Sequence, residues 1–189
     1  MTALSILHGY RDADLARKLQ AKIKRLSQEI GRRILIMHVC GSHEWTITHH
    51  GVRSLLPEDV EVRAGPGCPV CVTSQETIDY AISLAQQKDI IITTFGDMLR
   101  VPGTNSSLEE EKGNGADIRI IYSPHEALRI ARENPAKKVV FLAIGFETTS
   151  PLIAASLLDA RKEKIENFFI LSTHKLIPPA MEVLLKSKE

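Results

Sequence analysis

All three cysteines of this chain fall in two short, glycine-bearing segments. The first reads Cys40-Gly41-Ser42-His43-Glu44; the second reads Gly65-Pro66-Gly67-Cys68-Pro69-Val70-Cys71. A thiol beside an imidazole, together with a CxxC pair, is an inventory of soft ligands and redox groups. Two intervening residues let the sulfurs of Cys68 and Cys71 approach bonding distance or share one metal ion. Pro69 stiffens the turn between them. Three readings of the pair stand side by side: a redox dithiol, inert thiols, or a zinc site. A closed zinc site needs four ligands, which Cys40, His43, Cys68 and Cys71 together would supply. Cys40 has its own alternatives. A cysteine beside a glycine at a strand end has the setting of a reactive thiol, while many cysteines are simply buried and inert. His43 can serve as a ligand, as a proton carrier or as a donor to the thiolate.

The elements that would position these segments follow from hydrophobic spacing. Leu15, Leu19, Ile23, Leu26 and Ile30 recur at helical intervals, which predicts an amphipathic helix over 12–30, stopped by Gly31. Apolar runs of strand length lie at 33–39, 60–63, 89–95, 118–122, 138–144 and 168–172. Helices are expected between them, at about 44–55, at 74–87 behind a Thr73/Glu76 capping box, and from Pro124 to about 134 behind a Ser123/Glu126 box. Two more fall from about 151 and after His174. Strand–loop–helix alternation of this kind implies an α/β protein with parallel sheets covered by helices. The expectation is two Rossmann-like lobes in series, 1–115 and 116–189. The second half of the polar stretch 96–117 is the expected division, and the second lobe is expected to be incomplete.

In a parallel sheet the loops after the strands share one edge, where α/β proteins place their sites. The CGSHE, GPGCPVC, TFGD and GFETT segments all take that position. Helices that begin there offer unbonded N–H groups that favour a thiolate. Asp97 and Arg100 put an acid and a base in one rigid loop, or form a salt-bridged surface turn. Glu147 is either a buried acid facing the thiols or a carboxylate near a helix N-terminus. His49 and His50 read as surface residues or as support for the site, and the LEEEK run as a solvated helix face. The nucleotide fingerprints are missing: there is no GxxxxGK[ST] and no GxGxxG after a strand.

Composition narrows the classes further. The chain has 189 residues, 43% of them hydrophobic and 25% charged, with a formal net charge of +1. That balance gives no basic stripe for nucleic acid. No apolar run reaches the roughly 20 residues that span a bilayer. The N-terminal segment lacks the basic–apolar–small order of a secretory signal, and three cysteines do not make a secreted disulfide framework. The expected location is the cytoplasm.

Taken in order, CGSHE, GPGCPVCVTSQETID, TFGDMLRVPG and GFETTSP resemble the NiFe-hydrogenase maturation factor HypD family, over essentially all of the chain. The resemblance implies a maturation scaffold that, with the small chaperone HypC, holds an iron ion while it acquires cyanide and carbon monoxide, the Fe(CN)2CO centre. HypE would deliver the cyanide. It implies Cys40 as the iron-ligating thiolate, His43 as its companion at the iron, and Cys68 and Cys71 as a redox-active dithiol. Gly41, Ser42, Glu44, Asp97, Arg100 and Glu147 are carried over as site-lining residues. Such a protein is a metallochaperone with redox activity rather than a conventional turnover enzyme. The family also carries a 4Fe-4S cluster on four further cysteines, and this sequence has none after Cys71. The remaining rivals are a stand-alone thiol–disulfide oxidoreductase and a structural zinc protein.

Overall fold

A computed structural model describes residues 12–187. It is an α/β protein in which both sheets are parallel and flanked by helices. The chain divides between Gly67 and Cys68 into two compact units.

The first unit opens with α1, Ala13–Ile30. Asp12 caps it by accepting from the N–H groups of Asp14 and Leu15, and Gly31 closes it. The strands β1, Ile34–His38, and β2, Val60–Ala64, pair in parallel from Ile34 beside Val60 to His38 beside Ala64. Between them lie α2, Gly41–His49, and the single turn α3, Val52–Leu55. The sequence predicts one helix over 44–55. It breaks because Gly51 takes a left-handed conformation (φ 62°) that ordinary residues avoid. It also begins earlier, so that Cys40 itself is the N-cap residue. The apolar side of α1 and the residues Leu35, Ile36 and Met37 of β1 remain exposed. Among the described residues of this unit, Val60 is the one buried hydrophobic side chain.

The second unit holds nearly all of the buried core. Its strands are β3, Ile90–Thr94; β4, Ile118–Ile120; β5, Lys138–Ala143; and β6, Phe168–Ser172, in the order β4-β3-β5-β6. Strands β3 and β5 are buried on both faces, as their unbroken apolar sequences require. Ile90, Ile92, Val140 and Leu142 face α4, Gln75–Ala85, and α5, Leu108–Gly113, through Ile78, Ile82 and Leu108. Ile91, Val139 and Phe141 face α6, Pro124–Glu133, and α7, Ser150–Lys162, through Leu128 and Ile153. The alternation has the two-residue period of a strand. The last helix is α8, Ile177–Lys186.

The division between units therefore falls at Gly67/Cys68 and not near residue 115. Strand β3 pairs with β4 and β5 alike, so the polar stretch 96–117 is an excursion within one sheet. That stretch carries a short 3-10 turn at Gly96–Met98 and the helix α5. Thr104 pins it by donating from its N–H and its hydroxyl to Asp79, both at 2.6 Å. Glu111, expected on a solvated face, is buried and accepts from Ser106 Oγ at 2.6 Å. The Ser123 cap forms as predicted. The Thr73 box does not, because the Thr73 hydroxyl donates to Pro69 O at 2.7 Å and Ser74 takes the N-cap position. No helix among the described residues is long and apolar enough to cross a membrane.

Candidate thiol and metal site

In the first unit, β1 runs through Val39 into Cys40, which is extended (φ −125°, ψ 134°) at the head of α2. Its carbonyl accepts from Glu44 N–H at 3.2 Å, and its Sγ lies 2.9 Å from Ser42 Oγ. A half-buried sulfur at a helix start, beside a hydroxyl, is in a setting that favours negative charge and hence metal binding. Gly41, Ser42 and His43 form the exposed first turn.

Glu44 does not line this turn as an idle acid. Arg53 donates to both of its oxygens at 2.8 Å, Thr48 Oγ1 donates to Oε1 at 2.8 Å, and His38 Nε2 lies 2.8 Å from Oε2. These bonds, Arg53 first, lower its pKa from 4.5 to about 2. Glu44 thus ties the end of β1 to α2 and α3. Its folded pKa is depressed, so its contribution to stability is complete above pH 4.5 and is lost as pH falls toward 2. The expected result is a fall in the acid-range stability of the wild type that Arg53→Met flattens, read by circular dichroism at low salt. An unchanged slope in the variant would contradict it.

The sequence reading missed His38 and Arg53. His38 is a strand-ending residue whose ring is 10% exposed and packs edge-on near His43, with centroids 6.2 Å apart. A carboxylate on Nε2 makes that nitrogen the donor, and the buried Nδ1 has no hydrogen-bond partner among the described residues. The signal was its place two residues before Cys40, the spacing that puts side chains on one side of extended backbone. Trp45 stacks on His49, with centroids 4.5 Å apart, and His50 meets both edge-on, so the histidine pair forms an exposed aromatic group.

In the second unit, Cys68 and Cys71 sit in one turn with their sulfurs 2.9 Å apart. The turn is closed by Val72 N–H donating to Cys68 O at 3.1 Å and by Thr73 N–H donating to Val70 O at 3.3 Å. Val70 packs against the core cluster that includes Ile78, Met98, Leu142 and Ile144. The dithiol is therefore mounted on the rigid part of this unit.

The remaining residues carried over from the sequence have mixed fates. Asp97 is exposed in the 3-10 turn after β3. Arg100 is exposed and meets Glu109 at 3.5 Å, a surface pairing worth about 0–1 kcal/mol. Glu147 accepts from Ile177 N–H at 2.9 Å and so caps α8 from the neighbouring loop. Beside it, the Thr149 hydroxyl donates to Phe146 O at 3.0 Å and meets His174 Nε2 at 3.1 Å. Gly145 makes this possible. A Cβ there would lie 1.8 Å from Thr149 Oγ1 and 2.9 Å from Thr149 Cβ. Rotating the threonine cannot relieve the second contact. Gly145→Ala is expected to cost about 1–3 kcal/mol, read from the urea midpoint. Partial recovery in Gly145→Ala/Thr149→Gly would tie the loss to this contact, and wild-type stability in the single variant would refute it.

Cys40 at the end of β1 and the Cys68/Cys71 turn before α4 give this α/β protein sulfur groups of the kind that bind metals or exchange disulfides. The chain belongs to the HypD family: the model described as "Hydrogenase formation hypA family" matches residues 14–189. A Methanocaldococcus jannaschii protein named for hydrogenase expression and formation is 51% identical over 174 residues, 92% of this chain and 48% of that protein. The hydrogenase maturation factor HypD of Cupriavidus necator is 43% identical over 187 residues, 98% of this chain and 49% of its own length. The HypD of Escherichia coli is 43% identical over 175 residues, 93% of this chain and 47% of its own length. The chain spans about half the length of the curated relatives it matches.

Proposed function

We propose that this chain carries the thiol machinery with which a hydrogenase maturation scaffold holds an iron ion during assembly of the Fe(CN)2CO centre. Iron is the cargo. Cys40 is the thiolate ligand, and His43 acts at the metal or just behind it. The Cys68/Cys71 pair supplies or accepts the electrons that ligand attachment requires. HypC shares the iron and HypE delivers cyanide, in the cytoplasm. The observation that most supports this reading is Cys40 at the head of α2, in a helix-start setting that favours the thiolate a low-spin iron prefers.

A four-thiolate cluster does not fit the residues present, since it needs four cysteines and the chain has three. The second reading, a stand-alone thiol–disulfide oxidoreductase, is favoured by the 2.9 Å sulfur separation. Anaerobic co-expression with HypC separates the two. Iron with infrared bands of bound cyanide and carbon monoxide supports the scaffold. A metal-free protein that turns over disulfides supports the oxidoreductase, and one equivalent of zinc defeats both.

A further inference from the structure

The two sulfurs of the CxxC turn are not equivalent. In a turn that brings residue i+3 back over residue i, the N–H of i+3 points toward i. Here that group is Cys71 N–H, which donates to Cys68 Sγ at 3.3 Å. The Cys71 thiol lies 2.9 Å from the same sulfur and can donate its own proton to it. Cys68 therefore receives a backbone donor from Cys71, and as a thiolate it would accept the Cys71 thiol proton as well. The turn that aims them is held by its own backbone bonds and by Val70 against the core, so the arrangement does not depend on the sulfurs for its shape. Donors that converge on one sulfur favour the thiolate there.

We infer that Cys68 is the attacking thiolate of the pair and that Cys71 is the thiol that resolves the mixed disulfide. The inference rests on the reading of the pair as a redox dithiol, and its co-reactant is a disulfide. The Cys68 thiolate attacks one sulfur of R–S–S–R. The S–S bond breaks, Cys68–S–S–R forms, and one RS⁻ leaves. That RS⁻ takes the Cys71 proton. The Cys71 sulfur then attacks Cys68 Sγ and expels the second RS⁻. The pair gives up two electrons and becomes an internal disulfide, while the reagent leaves as one thiol and one thiolate.

Exposure alone would give the opposite order, because Cys71 is exposed and Cys68 is half-buried. This makes the test sharp. The intact, reduced chain is treated with limiting iodoacetamide, and each cysteine is followed by peptide mass spectrometry, with Cys40 read separately. Cys68 is expected to react about tenfold faster than Cys71, the factor that one hydrogen bond to a charged group supplies. With oxidised glutathione, Cys71→Ser should accumulate the mixed disulfide at Cys68, whereas Cys68→Ser should remain largely unmodified at Cys71. Equal rates, or faster labelling of Cys71, would overturn the assignment. If Cys68 reacts first but oxidised glutathione never closes the internal disulfide in the wild type, Cys68 stands as the more reactive thiolate, while the resolving role of Cys71 and the redox reading of the pair fail.

Discussion

Native-state hydrogen exchange is expected to show the amides of β3 and β5 outlasting those of β1 and β2 by about a thousandfold, a difference of about 4 kcal/mol in opening free energy. The physical reason is where the apolar side chains are. In the second unit Ile91, Val139 and Phe141 are completely buried on one face, and Ile92 and Leu142 almost so on the other. Truncating a side chain such as Phe141 would cost about 3–5 kcal/mol. In the first unit Leu35, Ile36 and Met37 of β1 are exposed by 39–51%, and the apolar side of α1 is open as well. A two-stranded parallel sheet without a buried face has little to oppose its opening. Limited proteolysis gives the same comparison cheaply: cuts should begin before Gly67 and leave a resistant piece containing 75–172. Equal protection of β1 and β3 would show that the first unit is stabilised by something other than its own packing.

Cys40→Ala should abolish retention of iron and of the cyanide and carbon monoxide infrared bands while leaving the circular dichroism spectrum intact. The fold is expected to survive because Cys40 makes no side-chain cap bond to the helix backbone, so alanine removes no cap from α2. What the variant loses is the soft anionic donor, and alanine offers no replacement. Cys40→Ser keeps the shape and a hydroxyl but not the softness, so it should lose the bands as well. Ser42→Ala removes the hydroxyl 2.9 Å from the sulfur and should weaken iron retention without ending it. Bands that persist in Cys40→Ala would move the iron to other ligands and end the proposal.

All six strands of the described residues were legible in the sequence, within a residue or two at their ends. Runs such as Ile90–Thr94 and Lys138–Ala143 are short, apolar and bounded by polar turns, and little else can be made of them. The loops after the strands were legible for the same reason, and with them every cysteine. What the sequence hid was partnership. Nothing local in Asp89–Phe95 says that it pairs with β4 and β5, so the division between units was misplaced. For Glu147 the sequence left a buried acid and a carboxylate near a helix N-terminus side by side, because spacing cannot reveal that it accepts from Ile177 N–H thirty residues on. Arg53 escaped for a similar reason, since its tie to Glu44 depends on the Gly51 break that folds α3 back.

The strand order also bears on how the protein is made. On the ribosome, β3 emerges before either of its neighbours, and β5 must appear before the sheet has a centre. Cys68 and Cys71 leave the exit tunnel well ahead of Leu142 and Ile144, members of the core cluster on which Val70 packs. During that interval the nascent dithiol lacks the finished core against which its turn is later seated.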